Sequence, residues 1–422
     1  MYKVLHITPH CGGGVGDTIF GYLSVNKAFH QEIVILGYAL DDVYDRSSKY
    51  NVPVHLNKTH RQILTMIKNF DVIIMHVWNH PLLYDFLIRN ELPRCRLIMW
   101  AHNSGSIPPN IYPRKILLYP DYFVFTTPLS YNVEEVVKLH KKNHLSDIWS
   151  TAGIDEFLEL EKINRNGIIL TYIGTVDYAK LHPKFLNIIK EIYDEVKEIR
   201  VVGGDNQEEI KKQAKNMGLS GKMIFTGRVH FEFLKFYLQQ TDIFVYPLAP
   251  YHYGTCDLIL QMAMASGVPI ITLNNDMEKH MIINKKSGLI ANNIDEFADY
   301  IRELIRDEEL RRYLGENARK EAKKKFSLEK LEKDWRMMIY KTINTVEKTF
   351  KRWDMRRPIT PDNIFLESIG KYGIDFEEKI KVLALDPAWQ TKTKGSVHNY
   401  SSYFPESKKL KEWSEIFTSL YR

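Results

Sequence analysis

Five short stretches of this sequence place chemically capable residues at or near the ends of apolar, strand-forming runs. In "YIGTVDYAKLHP", Lys180 lies six residues beyond Gly174. Arg228 follows "KMIFTG", and His102 follows "RLIMWA". "HCGGGVGD", residues 10–17, sets Gly13 and Gly14 between the first apolar run and a helical stretch. "YGTCD", residues 253–257, brings Gly254, Thr255, Cys256 and Asp257 to the start of another helical stretch. A lysine can neutralise a diphosphate as a point charge, and an arginine can fork onto phosphate oxygens. Glycines before a helix let backbone amides approach an anion, which the helix dipole also favours. A histidine at a strand end can meet a ligand hydroxyl.

Each stretch has a plainer reading as well. The glycine loop could be a tight turn without ligand, Lys180 a solvated side chain, Arg228 a structural ion pair and His102 an ordinary polar histidine. Asp257 either caps its helix or accepts a ligand hydroxyl, and capping is the favoured alternative. Other chemistries are excluded. The glycine spacing at residues 12–16 is not the dinucleotide fingerprint, and no Gly-Lys-Ser/Thr follows it. The chain has no Asp-x-Asp pair for a metal-bound nucleotide, no HExxH and no Gly-x-Ser-x-Gly elbow.

The elements that must carry these residues alternate. "KVLHITP", "EIVILGYA", "DVIIMHVW", "RLIMWAH" and "YFVFTTP" read as strands separated by helices such as "TIFGYLSVNKAF". After the polar "NRNG" the pattern restarts with "IILTYIG", "EIRVVGGD", "KMIFTGRV", "DIFVYPL" and "VPIITLN". Continuous apolar strands separated by helices predict parallel sheets covered on both faces. The expected fold is α/β, with two Rossmann-like, doubly wound parallel-sheet domains and a central cleft at the carboxyl ends of their strands. The domains are placed at residues 1–160 and 161–325, followed by helices over 326–350 and a C-terminal extension over 351–422. The charged helices near 295–350 read as solvated faces with i,i+4 pairs. The aromatics of the extension are expected to pack across both domains, with acceptor recognition or oligomer contact as the alternative.

The chain has 422 residues, 44% hydrophobic and 26% charged, with a formal charge of +6. That is ordinary globular composition, long enough for two domains. The mild basicity suits an anionic small ligand or acidic lipid more than nucleic acid. Cys11, Cys95 and Cys256 have no metal or disulfide spacing and fit a reducing compartment. No apolar run reaches the roughly 18–20 residues of a membrane span. The sequence reads as cytoplasmic, with peripheral contact at the inner face of a membrane left open.

Taken together, these stretches resemble the GT-B glycosyltransferases, specifically the retaining glycosyltransferase family 4 group (glycosyl transferases group 1). The resemblance covers roughly residues 1–345. It is carried by "YIGTVDYAK", "RVVGGD", "MIFTGRV", "TDIFVYP", "AMASGVPII" and "KKSGLIANN" in order, with the glycine loop, "WAHN" and "FSLEKLEKDWRMMIYKTI". It implies sugar transfer from a nucleotide-sugar donor to an acceptor hydroxyl (glycan, lipid-linked or other), with retention and without metal or other cofactor. The first domain would be the acceptor side and the second the donor side. Lys180 and Arg228 would stabilise the leaving diphosphate, and His102 would contact the transferred sugar. Gly13, Gly14, Gly174, Thr175, Gly254, Thr255, Cys256 and Asp257 would line the donor. Thr175 replaces the family's arginine. The family's Glu-x7-Glu pair falls on Gly254 and Met262, or on Tyr251 for the first acid in the other alignment. A non-catalytic glycan- or partner-binding subunit is therefore the competing reading, and a nucleic-acid-directed transferase a third.

Overall fold

The computed structural model describes residues 1–163, 165–204, 207–392 and 394–419. Asn164 in the "NRNG" stretch and Asp205, which ends "RVVGGD", lie outside the described residues. The chain divides into two compact units. Unit 1 comprises Met1–Ala152, Tyr253–Cys256 and Leu328–Arg422, and unit 2 comprises Gly153–His252 and Asp257–Ser327.

Unit 1 is built on a seven-stranded, all-parallel sheet. Its spatial order is Leu145–Asp147, Tyr122–Phe125, Leu97–Ala101, Val72–Val77, Lys3–Thr8, His30–Ile35 and Val54–His55. Successive residues of a strand point to opposite faces, so a sheet buried on both sides shows no polar alternation. Leu5, Ile7, Ile73 and Met75 join one core, while Val4, Val72, Ile74 and Trp100 join the other. The second core is closed by the helix Leu328–Thr345, whose Trp335 ring meets Trp100 at 4.4 Å and Tyr22 at 5.9 Å.

The first core extends into the C-terminal extension. Trp353, Phe365, Phe376, Trp389, Tyr400, Trp413 and Phe417 are buried in the same cluster as Leu83, Phe86 and Leu87. The Thr349–Lys351 strand also pairs antiparallel with Leu92–Cys95. The expectation that these aromatics pack across both domains is thereby corrected, because the extension belongs to unit 1. The reason is the helix Pro81–Arg89, whose Leu83, Tyr84, Phe86, Leu87 and Ile88 are all buried and need an apolar cover.

Unit 2 has a six-stranded, all-parallel sheet in the order Met223–Gly227, Glu198–Val202, Ile169–Ile173, Ile243–Tyr246, Ile270–Leu273 and Leu289–Ala291. The helix Leu258–Ala265 precedes a left-handed Gly267 (φ 70°) and runs into the Ile270–Leu273 strand. Its terminal carbonyls are satisfied from another helix, Glu308–Phe326. Arg319 donates to Ala265 O at 3.1 Å and to Ser266 O at 2.8 Å. The two helices approach so closely at Gly315 that a Cβ there would stand 2.0 Å from Gly267 O. The sequence reading of the charged helices as solvated faces thus omits Arg319, which caps a buried helix.

Candidate functional site

The carboxyl ends of the unit 2 strands form a glycine-lined recess. Gly174 follows the Ile169–Ile173 strand, Gly203 follows Glu198–Val202, and Gly227 ends the Met223–Gly227 strand. The strand ends are laced by Gly174 N to Val202 O and Gly203 N to Gly227 O, both at 2.9 Å. All three glycines have left-handed φ, and a Cβ on Gly203 would meet Gly174 O at 2.5 Å. The resulting pocket of about 380 Å³ is lined by Gly174, Thr175, Gly203, Gly204 and Arg228, among others. A volume of this order suits a small ligand, and bare backbone lets its oxygens come close.

Lys180 and Asp257 form a second centre in unit 2. Lys180 sits in the loop after Gly174, where Asp177 Oδ1 accepts from the Lys180 amide at 3.2 Å. Its ammonium donates to Asp257 Oδ1 at 2.9 Å and lies 5.3 Å from the centre of the Tyr246 ring. The phenol of Tyr246 donates to the same oxygen at 3.0 Å. Burial pushes the Asp257 carboxyl up, but Lys180, His252 and the hydrogen bonds from Lys180 and Tyr246 outweigh it and hold the carboxyl below its ordinary value.

The favoured expectation for Asp257, helix capping, is corrected. The residue occupies the N-cap position of Leu258–Ala265 but makes no side-chain cap bond. Its backbone takes φ 23°, ψ 77°, a costly region for a non-glycine residue, and its side chain turns to Lys180 instead. A lysine with three donors satisfies a buried carboxylate better than one amide does.

Glu278, absent from the sequence-based candidates, completes this centre. It is 1% exposed on the helix Asp276–Met281, which follows the Ile270–Leu273 strand. Burial, then the nearby Asp257 charge, pushes its carboxyl up to about 8, so it is protonated at neutral pH. Its Oε2 has no hydrogen-bond partner among the described residues. The available signal was its place just beyond the carboxyl end of a parallel strand.

In unit 1, His102 is the last member of a hydrogen-bonded row across four neighbouring strands. His6 Nε2 meets Gln31 Oε1 at 2.8 Å, His6 Nδ1 meets His76 Nε2 at 3.0 Å, and His76 Nδ1 meets His102 Nε2 at 2.8 Å. With Gln31 Oε1 as acceptor, each neutral ring donates from Nε2 and accepts at Nδ1. His102 is then left with its Nδ1 lone pair to accept from a hydroxyl. Burial lowers His6 to about 4 and His102 to about 3, the latter helped by His10 and Lys394, and holds His76 well below its ordinary value. These histidines occupy the face of the sheet shared by Val4, Ile74 and Trp100, a parity visible in "KVLHIT", "VIIMHV" and "LIMWAH".

The other predicted residues of unit 1 are also accounted for. Gly13 and Gly14 are exposed and open the helix Gly13–Val25, with Gly13 at φ 55°. The 253–256 turn is anchored through its carbonyls and thiol. Tyr253 O accepts from Ser104 Oγ at 2.8 Å, Gly254 O from Ser104 N at 3.0 Å, and Cys256 Sγ donates to Ser150 O at 2.9 Å. Thr255 lies between these anchors. Gly254 has φ 63°, which only glycine adopts without strain. Arg228 and Thr175 share the unit 2 pocket with Gly174, whereas Lys180 is not among the residues lining it.

Residues 154–321 match the model of the family "Glycosyl transferases group 1". This segment is similar to the domain of that family. It spans most of unit 2, including the pocket and the Lys180–Asp257–Glu278 centre. Among curated relatives, the chain is similar to an uncharacterized glycosyltransferase, MJ1069, of Methanocaldococcus jannaschii. The two are 28% identical over 207 residues, which is 47% of this chain and 51% of the relative. The match therefore spans about half the length of that relative. Among solved structures, Anabaena Alr3699/HepE in complex with UDP and glucose superposes with a TM-score of 0.66 at 12% identity, covering 81% of this chain and 100% of that one. A glycosyltransferase from Rickettsia africae ESF-5 gives 0.65 at 15% identity, over 82% and 99%. These likenesses show the fold, two Rossmann-like parallel-sheet domains of the GT-B kind with a C-terminal helical extension.

Proposed function

We propose that the chain is a glycosyltransferase that moves a sugar from a nucleotide-sugar donor to an acceptor hydroxyl, with retention and without a bound metal. The observation that carries this reading is the coincidence of two features within the segment that matches the glycosyl transferases group 1 model. One is the glycine-floored pocket bearing Arg228, and the other is the largely buried Lys180 ammonium held by Asp257. The pocket suits the nucleotide diphosphate. The Alr3699/HepE complex with UDP and glucose supports a nucleoside diphosphate as the ligand class.

Bond cleavage at the anomeric carbon leaves charge on the departing diphosphate. Arg228 and Lys180 are assigned to that charge. Protonated Glu278 is assigned as the acid. A buried carboxyl that keeps its proton can donate to a hydroxyl or to a phosphate oxygen without adding negative charge beside Asp257. His102 Nδ1 accepts from a hydroxyl of the transferred sugar. The departing phosphate itself takes the acceptor proton, so no side-chain base is assigned. The first domain is taken as the acceptor side, and the protein as a cytoplasmic one that reaches membranes only peripherally.

The test is a thermal-shift screen with UDP-, GDP-, ADP-, dTDP- and CMP-sugars, because a ligand bound by the native state raises the melting temperature by mass action. At least one donor is expected to stabilise the chain. Indifference to all of them favours the competing reading, a binding subunit without transferase chemistry.

A further inference from the structure

We propose that unit 1 binds an anionic group, a phosphate or carboxylate carried by the acceptor, through Lys394 of the C-terminal extension, which His10 holds in place, together with Trp78. This rests on the reading above that unit 1 is the acceptor side. His10 and Trp78 lie just past the strands Lys3–Thr8 and Val72–Val77, which are neighbours at the centre of the sheet. Ligands of open parallel sheets bind at this carboxyl edge.

The hydrogen-bonding inventory there is one-sided. Lys394 Nζ stands 3.0 Å from His10 Nε2. An ammonium can only donate, so Nε2 accepts and the neutral imidazole carries its proton on Nδ1. His10 is 2% exposed, and that Nδ1 has no partner among the described residues. The indole N–H of Trp78, 4% exposed, has none either. The Lys394 ammonium lies 5.7 Å from the Trp78 ring centre and, among the described residues, has no carboxylate within ion-pair distance. A cation without a carboxylate beside a buried indole N–H without an acceptor calls for a ligand rich in acceptor oxygens. An oxyanion meets the charge of the ammonium and can accept from the indole N–H, and a neutral hydroxyl does not meet the charge.

The extension is shaped to deliver this lysine. Gly395 has φ 86° and packs so tightly on Asn79 that a Cβ would stand 2.7 Å from that side chain. Ser396 caps the helix Val397–Tyr403, and Tyr403 on that helix meets the His80 ring at 4.8 Å. Tyr38 stacks on His10 at 5.1 Å and offers an aromatic flank to a sugar ring. Although much of the Lys394 side chain is open to solvent, the protein around its ammonium lowers it to about 8, leaving it charged at neutral pH and unneutralised.

The test is calorimetric titration of the full chain with inorganic phosphate and, separately, with glucuronate, using UDP as a reference ligand. The wild type is expected to bind at least one of the two anions, and whichever binds more tightly assigns the phosphate or the carboxylate. Lys394→Met should weaken that binding by about tenfold or more, the loss of a charge-assisted contact. Trp78→Phe, which keeps a ring but removes the N–H, should weaken it by a smaller factor. UDP affinity should be unchanged in both variants. Failure of the wild type to bind either anion would overturn the proposal, as would wild-type affinity in Lys394→Met. So would an equal loss of UDP affinity, because the cation would then serve the nucleotide. If no nucleoside diphosphate binds but the Lys394-dependent anion binding persists, the anion site stands and the donor reading falls.

Discussion

The ammonium of Lys180 and Oδ1 of Asp257 are 2.9 Å apart, and the Asp257 side chain is 1% exposed. The cation assigned to the leaving diphosphate is thus already neutralised before any donor arrives. Removing one member of a buried pair leaves the other's charge without compensation, at a cost of roughly 3–5 kcal/mol. Lys180→Met should therefore be destabilised by about 3 kcal/mol in urea unfolding, since Tyr246 still serves Asp257. Adding Asp257→Asn should restore most of that stability but none of the transferase activity. Recovery of activity in the double variant would reduce Lys180 to a structural role.

Glu278 gives unit 2 a pH dependence of definite sign. Its folded value of about 8 lies above the ordinary 4.5, so the native state holds a proton that the unfolded chain releases in between. Its contribution to stability is full below about pH 4.5 and is lost as the pH rises through about 8. Glu278→Gln, which mimics the protonated acid, removes this dependence. The difference in melting temperature between variant and wild type should therefore grow from pH 5 to pH 9 in favour of the variant. A constant difference would show that Glu278 does not titrate in the folded chain.

The buried histidines of unit 1 act in the opposite direction. His6, His10 and His80 are lowered by burial to about 4, 3 and 2, so the unfolded chain takes up protons first as the pH falls below 6.5. Their contribution is present above that value and is lost on acidification, by about 1.4 kcal/mol per pH unit for each ring that stays neutral. Unfolding free energy should fall steeply between pH 6 and 4. Long-range proton–nitrogen NMR at pH 7 should find His6, His76 and His102 neutral with the proton on Nε2. A proton on His102 Nδ1 would reverse the proposed direction of the row.

Much of this architecture was legible in the sequence because buried parallel strands are nearly continuous apolar runs. All ten runs read as strands are strands, and what was missed is short, such as Val54–His55 and Leu145–Asp147. The glycine turn at Gly174 and the exit through Gly267 were visible for the same reason, since left-handed backbone selects glycine. The partners of the polar residues were not visible. Asp257 looked like a cap because capping is a local signal, whereas Lys180 reaches it across 77 residues of chain. Lys394 meets His10 across 384 residues, and nothing in "TKTKGS" distinguishes it from Lys392. The histidine row could have been inferred, because His6 and His76 share one face of adjacent strands and His102 follows the next strand at the same parity.

Transferase chemistry at Lys180 is tested by release of nucleoside diphosphate from a panel of nucleotide sugars, with the wild type and Lys180→Met compared under conditions where both are folded. The wild type is expected to consume at least one donor, by transfer or slow hydrolysis. The variant is expected to be slower by about a hundredfold or more, the usual cost of removing one group that stabilises developing charge. A wild type that leaves every donor intact would rule out the transferase reading, and a variant as fast as the wild type would rule out the role of Lys180.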